Sequence, residues 1–502
     1  MRDQDVSVKL EATKALYFLL ILANENFENE GERNVIMQVV CENCKAPAPV
    51  EVQVAAYECL VQIATEYYDH LMPYMSGVGP LTWETIQQSN EMIAIPALEF
   101  WSTLCDEEIF LNEIAEDAAA SGQQPERKNQ RFVTQALQYL TPLLTEQLCK
   151  RSSDEDDDDA WNLSMAAGTC LGLVAQATKD DCVDPVLAFV SQSFGNSDWK
   201  VKEAAVLALG SIMEGPSSAR LAPLVSQALP QLVQGLQDAS VCVRDTTAWT
   251  IGRIAQFHVS VLAPHLQSLM QVLSVSFQDK PRVAAQVCWV IDALAEQMPG
   301  SAGEPAPSTA LSQFFMPLVT QLLQCGARQD ADEKNLRAAA YNALSNLISK
   351  AGQDCRPHMD VVLKELCDRL EASFNMAASN ELMEVQGSLI GCLQVLTTRM
   401  DSGVLPHAER LWTMYYKMFQ LYQTTQGHPC VHEESVLATG ALCTALGKQF
   451  APILQHFMPI LKVGLGRFEE ETICGICAAT LGDVARATEK AIVPYCEYLR
   501  LF

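Results

Sequence analysis

The chain has 502 residues, with 61 acidic side chains against 34 Lys and Arg; its formal charge of −27 repels phosphate backbones and excludes nucleic acid as a partner. At 49% hydrophobic it can bury a large core, yet no apolar run reaches the roughly 18 residues of a membrane span and the charged N-terminus has no signal-type apolar stretch, so membrane insertion is not expected. The 18 cysteines are scattered through apolar periodic segments, which reads as reduced, buried thiols of a cytosolic or nuclear protein, not a disulfide framework.

In chain order, one helical pattern recurs eleven times: an apolar residue, usually β-branched, then small residues at helical spacing, then a large apolar one. The copies are VKLEATKAL (Val8–Leu16), VQVAAYECL (Val52–Leu60), IAIPALEFW (Ile93–Trp101), LSMAAGTCLG (Leu163–Gly172), VKEAAVLALG (Val201–Gly210) and VRDTTAWTIG (Val243–Gly252). They continue as VAAQVCWVI (Val283–Ile291), LRAAAYNAL (Leu336–Leu344), VQGSLIGCL (Val385–Leu393), VHEESVLATG (Val431–Gly440) and ICGICAATLG (Ile473–Gly482). Successive copies lie 38 to 53 residues apart, with one 70-residue gap, close to the period of HEAT or armadillo helix pairs.

Small residues three apart form one helix stripe that lets a neighbouring helix come close. Upstream of most copies lies a second amphipathic segment with proline, such as YLTPLLTEQL or FAPILQHFMPILKVGL. Each unit therefore reads as an outer helix bent or started by proline, a turn and an inner helix. Strand alternation is not sustained anywhere. The expected fold is an all-α HEAT-repeat solenoid over residues 1–502 of about eleven helix pairs, whose stacking builds a continuous core and a concave, protein-binding surface. Residues 112–130 are expected to be an inter-repeat insertion, 151–161 an acidic loop within one repeat, and 298–310 a flexible linker. The chain starts inside an inner helix, so a piece of something longer is expected.

Nothing here calls for catalysis, a cofactor or a metal. GTCLG (Gly168–Gly172) imitates a nucleophile elbow but falls inside a helical repeat copy, where the strand that an elbow needs is missing. GALCTALGK (Gly440–Lys448) has the wrong glycine spacing for a phosphate loop. Cys41/Cys44 and Cys474/Cys477 are isolated i,i+3 pairs, and Pro429 separates His428 from the helix that carries His432.

Two features go beyond packing. Asp154, Glu155, Asp156, Asp157, Asp158 and Asp159 form an unbroken acidic run, followed by Trp161. Trp249 and Trp289 occupy the same repeat position, five residues after the anchors Arg244 and Ala284. By periodicity alone these indoles are either core or an outward ladder that stacks on cations, and the acidic run is either a solvated loop or a lip of negative potential.

The segments EFWSTLCDEE (Glu99–Glu108), DEDDDDAWN (Asp154–Asn162), DWKVKEAAVLALGSIMEGP (Asp198–Pro216), VRDTTAWTIGRI (Val243–Ile254), PRVAAQVCW (Pro281–Trp289) and NLRAAAYNAL (Asn335–Leu344) resemble the karyopherin-β family of nuclear transport receptors, of the importin-β type. The resemblance implies a non-enzymatic, monomeric HEAT superhelix of cytoplasm, nucleus and nuclear pore. Its inner surface wraps a basic helix, from an importin-α adaptor or a basic import signal. Matched residue by residue, Glu99, Asp106, Glu107, Asp156, Asp157, Asp158, Asp159, Trp161, Glu203, Asp245, Trp249 and Trp289 fall on family positions that contact that helix, which turns the indoles outward. The acidic run Asp154–Asp159 also falls on a contact region for Ran-GTP, the GTPase that releases cargo; further Ran contacts of the family lie in repeats that this chain lacks. GERNVIMQVVCEN matches an outer helix that holds Phe-Gly repeats of nucleoporins, with Glu32 and Ile36 retained. Val35 stands where the family has phenylalanine, which implies a shallower pocket, and YYDHLMPYM in the next unit, with Tyr74, is expected to supply a second pocket. The alternative is a HEAT scaffold that assembles other folded partners.

Overall fold

The computed structural model describes residues 1–88, 90–151, 161–297, 306–425 and 429–501. The acidic run Asp154–Asp159 and most of the 298–310 stretch therefore lie outside the described residues. No described residue is in a strand. The chain divides into two compact units, Met1–His265 and Leu266–Phe502.

The first unit contains α1 (Val6–Leu20), α2 (Asn24–Glu28), α3 (Glu30–Asn43), α4 (Val50–Tyr67), α5 (Met75–Gln87), α6 (Glu91–Ala120), α7 (Phe132–Leu148), α8 (Leu163–Thr178), α9 (Val183–Ser193), α10 (Trp199–Ser211), α11 (Ser218–Gly235) and α12 (Val241–Leu262). Here α1, α4, α6, α8, α10 and α12 carry the repeat copies, and each touches the next in that order. These are the inner helices; α3, α5, α7, α9 and α11 are outer helices, each packed on the inner helix that follows it. The second unit contains α13 (Leu266–Ser276), α14 (Pro281–Gln297), α15 (Phe315–Gly326), α16 (Leu336–Ser349), α17 (Arg356–Ser373), α18 (Asn380–Met400), α19 (Ala408–Thr425), α20 (Pro429–Leu446), α21 (Ala451–Leu465) and α22 (Glu471–Thr488). Its even-numbered helices form an inner row of their own, and the odd-numbered ones pack on them as outer helices. Both units are all-α stacks of HEAT-type pairs.

The local causes are ordinary. Asp5, Asn29, Asn162 and Asp198 cap α1, α3, α8 and α10 by accepting backbone N–H groups that the first turn leaves without partners. Prolines lie inside the outer helices α5, α7, α11 and α21 and also inside the inner helix α6. Leu60, Ile63, Phe100, Leu104, Leu171, Val174, Leu209 and Ile251 are buried along the inner row, each contributing roughly 1.5–3 kcal/mol of transfer free energy. The described cysteines are free thiols, most of them buried.

α6 is 30 residues long and carries the first part of the 112–130 stretch as helix. The chain then returns through a loop tied to the helix stack. Asn129 donates to Asn112 Oδ1 at 2.8 Å, and the Gln130 N–H donates to the Tyr68 hydroxyl at 2.9 Å. Tyr68 in turn donates to the buried Glu108 carboxylate at 3.2 Å. In the second unit, the carbonyls of Ala306 and Pro307 accept from Gln353 and Asp354, so this end of the 298–310 stretch is held in place.

α12 contains one non-helical residue, His258 (φ −137°, ψ 38°). Its Nε2 lies 2.9 Å from the Met213 carbonyl and its Nδ1 3.2 Å from Ser218 Oγ. A carbonyl only accepts, so Nε2 carries the proton and Nδ1 accepts from the hydroxyl. Burial holds the His258 pKa below its ordinary 6.5. Among the described residues no helix is long and apolar enough to cross a membrane, and no group of three or more His, Cys, Asp and Glu is placed to hold a metal ion.

Candidate functional site

Of the residues expected to form the site, Asp156, Asp157, Asp158 and Asp159 lie outside the described residues, Trp161 directly precedes α8, and the others sit on inner helices in different environments. On α6, Glu99 and Asp106 are exposed, and partial desolvation raises the Asp106 carboxyl above the usual aspartate range. Glu107 is only partly exposed. It is 2.7 Å from Arg127, a residue of the returning loop that also lies 2.7 Å from Asp69. Its charge ties that loop down, so a basic partner at Glu107 competes with Arg127.

Glu203 on α10 departs further from the expectation. Read as a surface carboxylate, it is fully buried. Its Oε1 accepts from Arg151 Nη1 and, at 2.7 Å, from Thr246 Oγ1 of α12, while Oε2 is buried with no hydrogen-bond partner among the described residues. Desolvation raises its pKa, against the pull of Arg151. The alanines of the repeat copy face the neighbouring helices, and at this register Glu203 faces them too. Asp245, on α12 close enough to act electrostatically on Glu203, is half-buried.

The indoles are not core. Trp161 is 57% exposed and directly precedes Asn162, whose Oδ1 caps α8 through Met165 N at 3.0 Å. Trp249 on α12 is half-buried, lying across α10 at Gly210. A Cβ at position 210 would sit 2.5 Å from its Cζ3, so glycine is what lets the ring lie there. One helical turn on, the Arg253 guanidinium is 6.0 Å from the Trp249 ring centroid and 4.6 Å from that of Phe257, and it donates to Glu214 at 2.9 Å. Trp289, on α14 of the second unit, is likewise half-buried. Trp101, by contrast, is buried and donates to Thr82 Oγ1 at 2.9 Å.

The cations Arg253, on α12, and Arg151, after the end of α7, were not anticipated from sequence. Arg253 has a signal, four residues after Trp249 on one helix face. Arg151 has none, because its contact with Glu203 spans 52 residues.

On the outer side, α3 and the residue before α5 come together. Glu32 is exposed and accepts from Asn26 at 2.6 Å; Val35 is 56% exposed and Ile36 half-buried. The hydroxyl of half-buried Tyr74 accepts from Arg33 Nε at 3.2 Å and donates to Asn34 of α3. The four residues expected to hold Phe-Gly repeats are thus brought to one step between outer helices, with apolar surface left open.

A row of HEAT pairs with half-open indoles and exposed acids on its inner helices and an open apolar step on its outer side defines a helical-repeat protein of the HEAT class. A family model described as importin subunit beta-1-like, TPR repeats, matches residues 268–500, and a HEAT-like repeat model matches 199–254. Importin subunit beta-1 of Arabidopsis thaliana is 38% identical over 99% of this chain and 58% of its own length. The solved Kap95:Nup1 complex is similar over 100% of this chain and 57% of that one, at TM-score 0.91 and 31% identity. A structure of Kap95p with RanGDP matches 100% of this chain and 58% of its own, at TM-score 0.85 and 31% identity. The chain belongs to the importin-β family, and it spans a little under three-fifths of the length of these relatives.

Proposed function

We propose that this chain is part of a nuclear import receptor whose inner helices hold a basic helix, from an importin-α adaptor or a basic import signal. The observation that carries this reading is that the first unit leaves Trp161 exposed and Trp249 half-open, and carries the exposed carboxylates Glu99 and Asp106 on the inner helix α6. An indole face attracts Lys and Arg by roughly 0.5–2 kcal/mol per contact, and clustered carboxylates draw a basic helix in from near the Debye length of about 10 Å. Asp245 adds a carboxylate in the first unit, and Trp289 offers the second unit an indole of its own; Glu107 and Glu203 take part by exchanging their internal cations for the partner's.

The outer step of Glu32, Val35, Ile36 and Tyr74 takes Phe-Gly segments of nucleoporins, in keeping with the Nup1 complex of a similar protein. The acidic run Asp154–Asp159 contributes to a Ran-GTP contact that releases cargo, in keeping with the RanGDP complex of another. The receptor works as a monomer between cytoplasm and nucleus, at the pores, and this reading assigns it no reaction.

The test is titration of a labelled Lys/Arg-rich helical peptide at several salt concentrations. Affinity is expected to fall steeply with salt. If the variant Trp161→Ala/Trp249→Ala/Trp289→Ala kept affinity within about twofold, stacking would not be the mechanism.

A further inference from the structure

The pair that sequence reasoning missed, Arg151 and Glu203, has a peculiar construction. The first unit also holds intramolecular pairs at 2.7 and 2.9 Å, Lys202 with Asp238 and Arg253 with Glu214, in which the cation is carried by a helix. Arg151 is not helical: α7 ends at Leu148, and Arg151 is the last described residue before the acidic run. It reaches Glu203 across 52 residues of sequence.

The exposures of the two partners give the pair a direction. The Arg151 side chain is 15% exposed and that of Glu203 1%, so the guanidinium is the lid and the carboxylate the floor. Around the floor stand Thr246, which donates to the same Oε1, and Asp245, whose charge acts on Glu203. Glu203 Oε2, buried and without a partner among the described residues, leaves capacity for one more donor. Thr246 and Asp245 both act on the Glu203 carboxylate, and the cation that closes it lies outside any helix. A bare buried carboxylate is costly, whereas swapping one cation for another never leaves it bare.

We propose that Arg151 is a built-in occupant of a cation socket between α10 and α12: its guanidinium fills, in the free protein, the place that an Arg or Lys of the basic partner takes on binding. This rests on the reading that a basic helix binds the inner face of the first unit, and it adds how that face is regulated. Arg151 sets a threshold, because a partner must deliver a cation good enough to displace it. Weakly basic segments fail at this position, and a helix with a well-placed arginine succeeds.

The experiment is titration of the same Lys/Arg-rich peptide into the whole chain and into Arg151→Ala, Arg151→Lys and Arg151→Ala/Glu203→Gln, with circular dichroism as a check of folding. Emptying the socket in Arg151→Ala is expected to tighten binding by about tenfold, and adding Glu203→Gln to cancel that gain. Arg151→Lys, which keeps the charge but offers a point donor in place of the planar guanidinium, is expected to tighten binding by about threefold. A folded Arg151→Ala that binds equally well or more weakly overturns the proposal, since the pair is then only structural. So does an Arg151→Lys chain that binds no more tightly than the unsubstituted one, because a weaker lid would then set no threshold. That arm decides the matter even where Arg151→Ala does not fold. If the unsubstituted chain binds no basic peptide, the import-receptor reading falls and takes this inference with it.

Discussion

The inner and outer sides of the first unit handle exposed chemistry in opposite ways. On the outer step, Val35 stays 56% exposed and Ile36 half-buried with nothing over them. On the inner step, nearby carboxylates are matched by the chain's own cations: Glu203 by Arg151, Glu107 by Arg127 and Glu214 by Arg253. The difference is one of desolvation. Leaving a valine in water costs on the order of 1 kcal/mol, while a carboxylate at a helix interface without a counter-charge costs several. An apolar site can therefore wait empty; a site with buried charge has to be occupied before its partner arrives.

The sharpest way to break this comparison is to unbalance the inner pair. Arg151→Ala strands a buried carboxylate and is expected to cost about 3–5 kcal/mol of local stability, seen as faster hydrogen exchange along α10. Glu203→Gln leaves an arginine that can turn to solvent, and it should cost clearly less. Equal costs would mean that the lid-and-floor arrangement is wrong.

Next in size is the platform under Trp249. Gly210→Ala places a methyl group where the indole ring lies, and is expected to lose about 1–3 kcal/mol of stability as well as part of the basic-peptide affinity. Trp249→Ala should weaken the peptide by about 0.5–2 kcal/mol with little loss of stability. A Gly210→Ala chain that is destabilised yet binds at full affinity would separate packing from function at this ring.

The outer step offers a gain. Val35→Phe adds apolar surface to an open pocket and is expected to tighten binding of a Phe-Gly peptide by about 1 kcal/mol, measured by calorimetry. Tyr74→Phe removes the hydroxyl that meets Asn34 and Arg33 and should loosen binding by a similar amount.

The smallest effect is one of pH. His258 is neutral in the fold because burial holds its pKa below 6.5. Its contribution to stability is present above pH 6.5 and is lost as the pH falls through the depressed folded value, because the unfolded chain takes up the proton first. A urea-denaturation series from pH 7.5 to 5 is expected to show this decline, and His258→Gln to flatten it.

Much of this was legible in advance. All eleven repeat copies lie on inner helices, because small residues at helical spacing have one cheap use, the close approach of another helix. The four outer-step residues come together because repeat geometry places successive outer helices side by side. The environments of the acids were not legible. Glu99, Asp106, Glu107 and Glu203 all read as carboxylates of inner helices, yet the first two are exposed, the third holds a loop and the fourth is buried. A helical register assigns a face, but not what crosses that face from fifty residues away.

The amino-acid sequence by itself determined the all-helical repeat, the inner and outer roles of its helices and the excess of acid over base, since each depends on local spacing or on composition. Only the tertiary structure decided that Trp249 lies half-open over Gly210 and that Arg151 covers Glu203. Both are contacts between different repeats, and their energies depend on the burial that stacking creates.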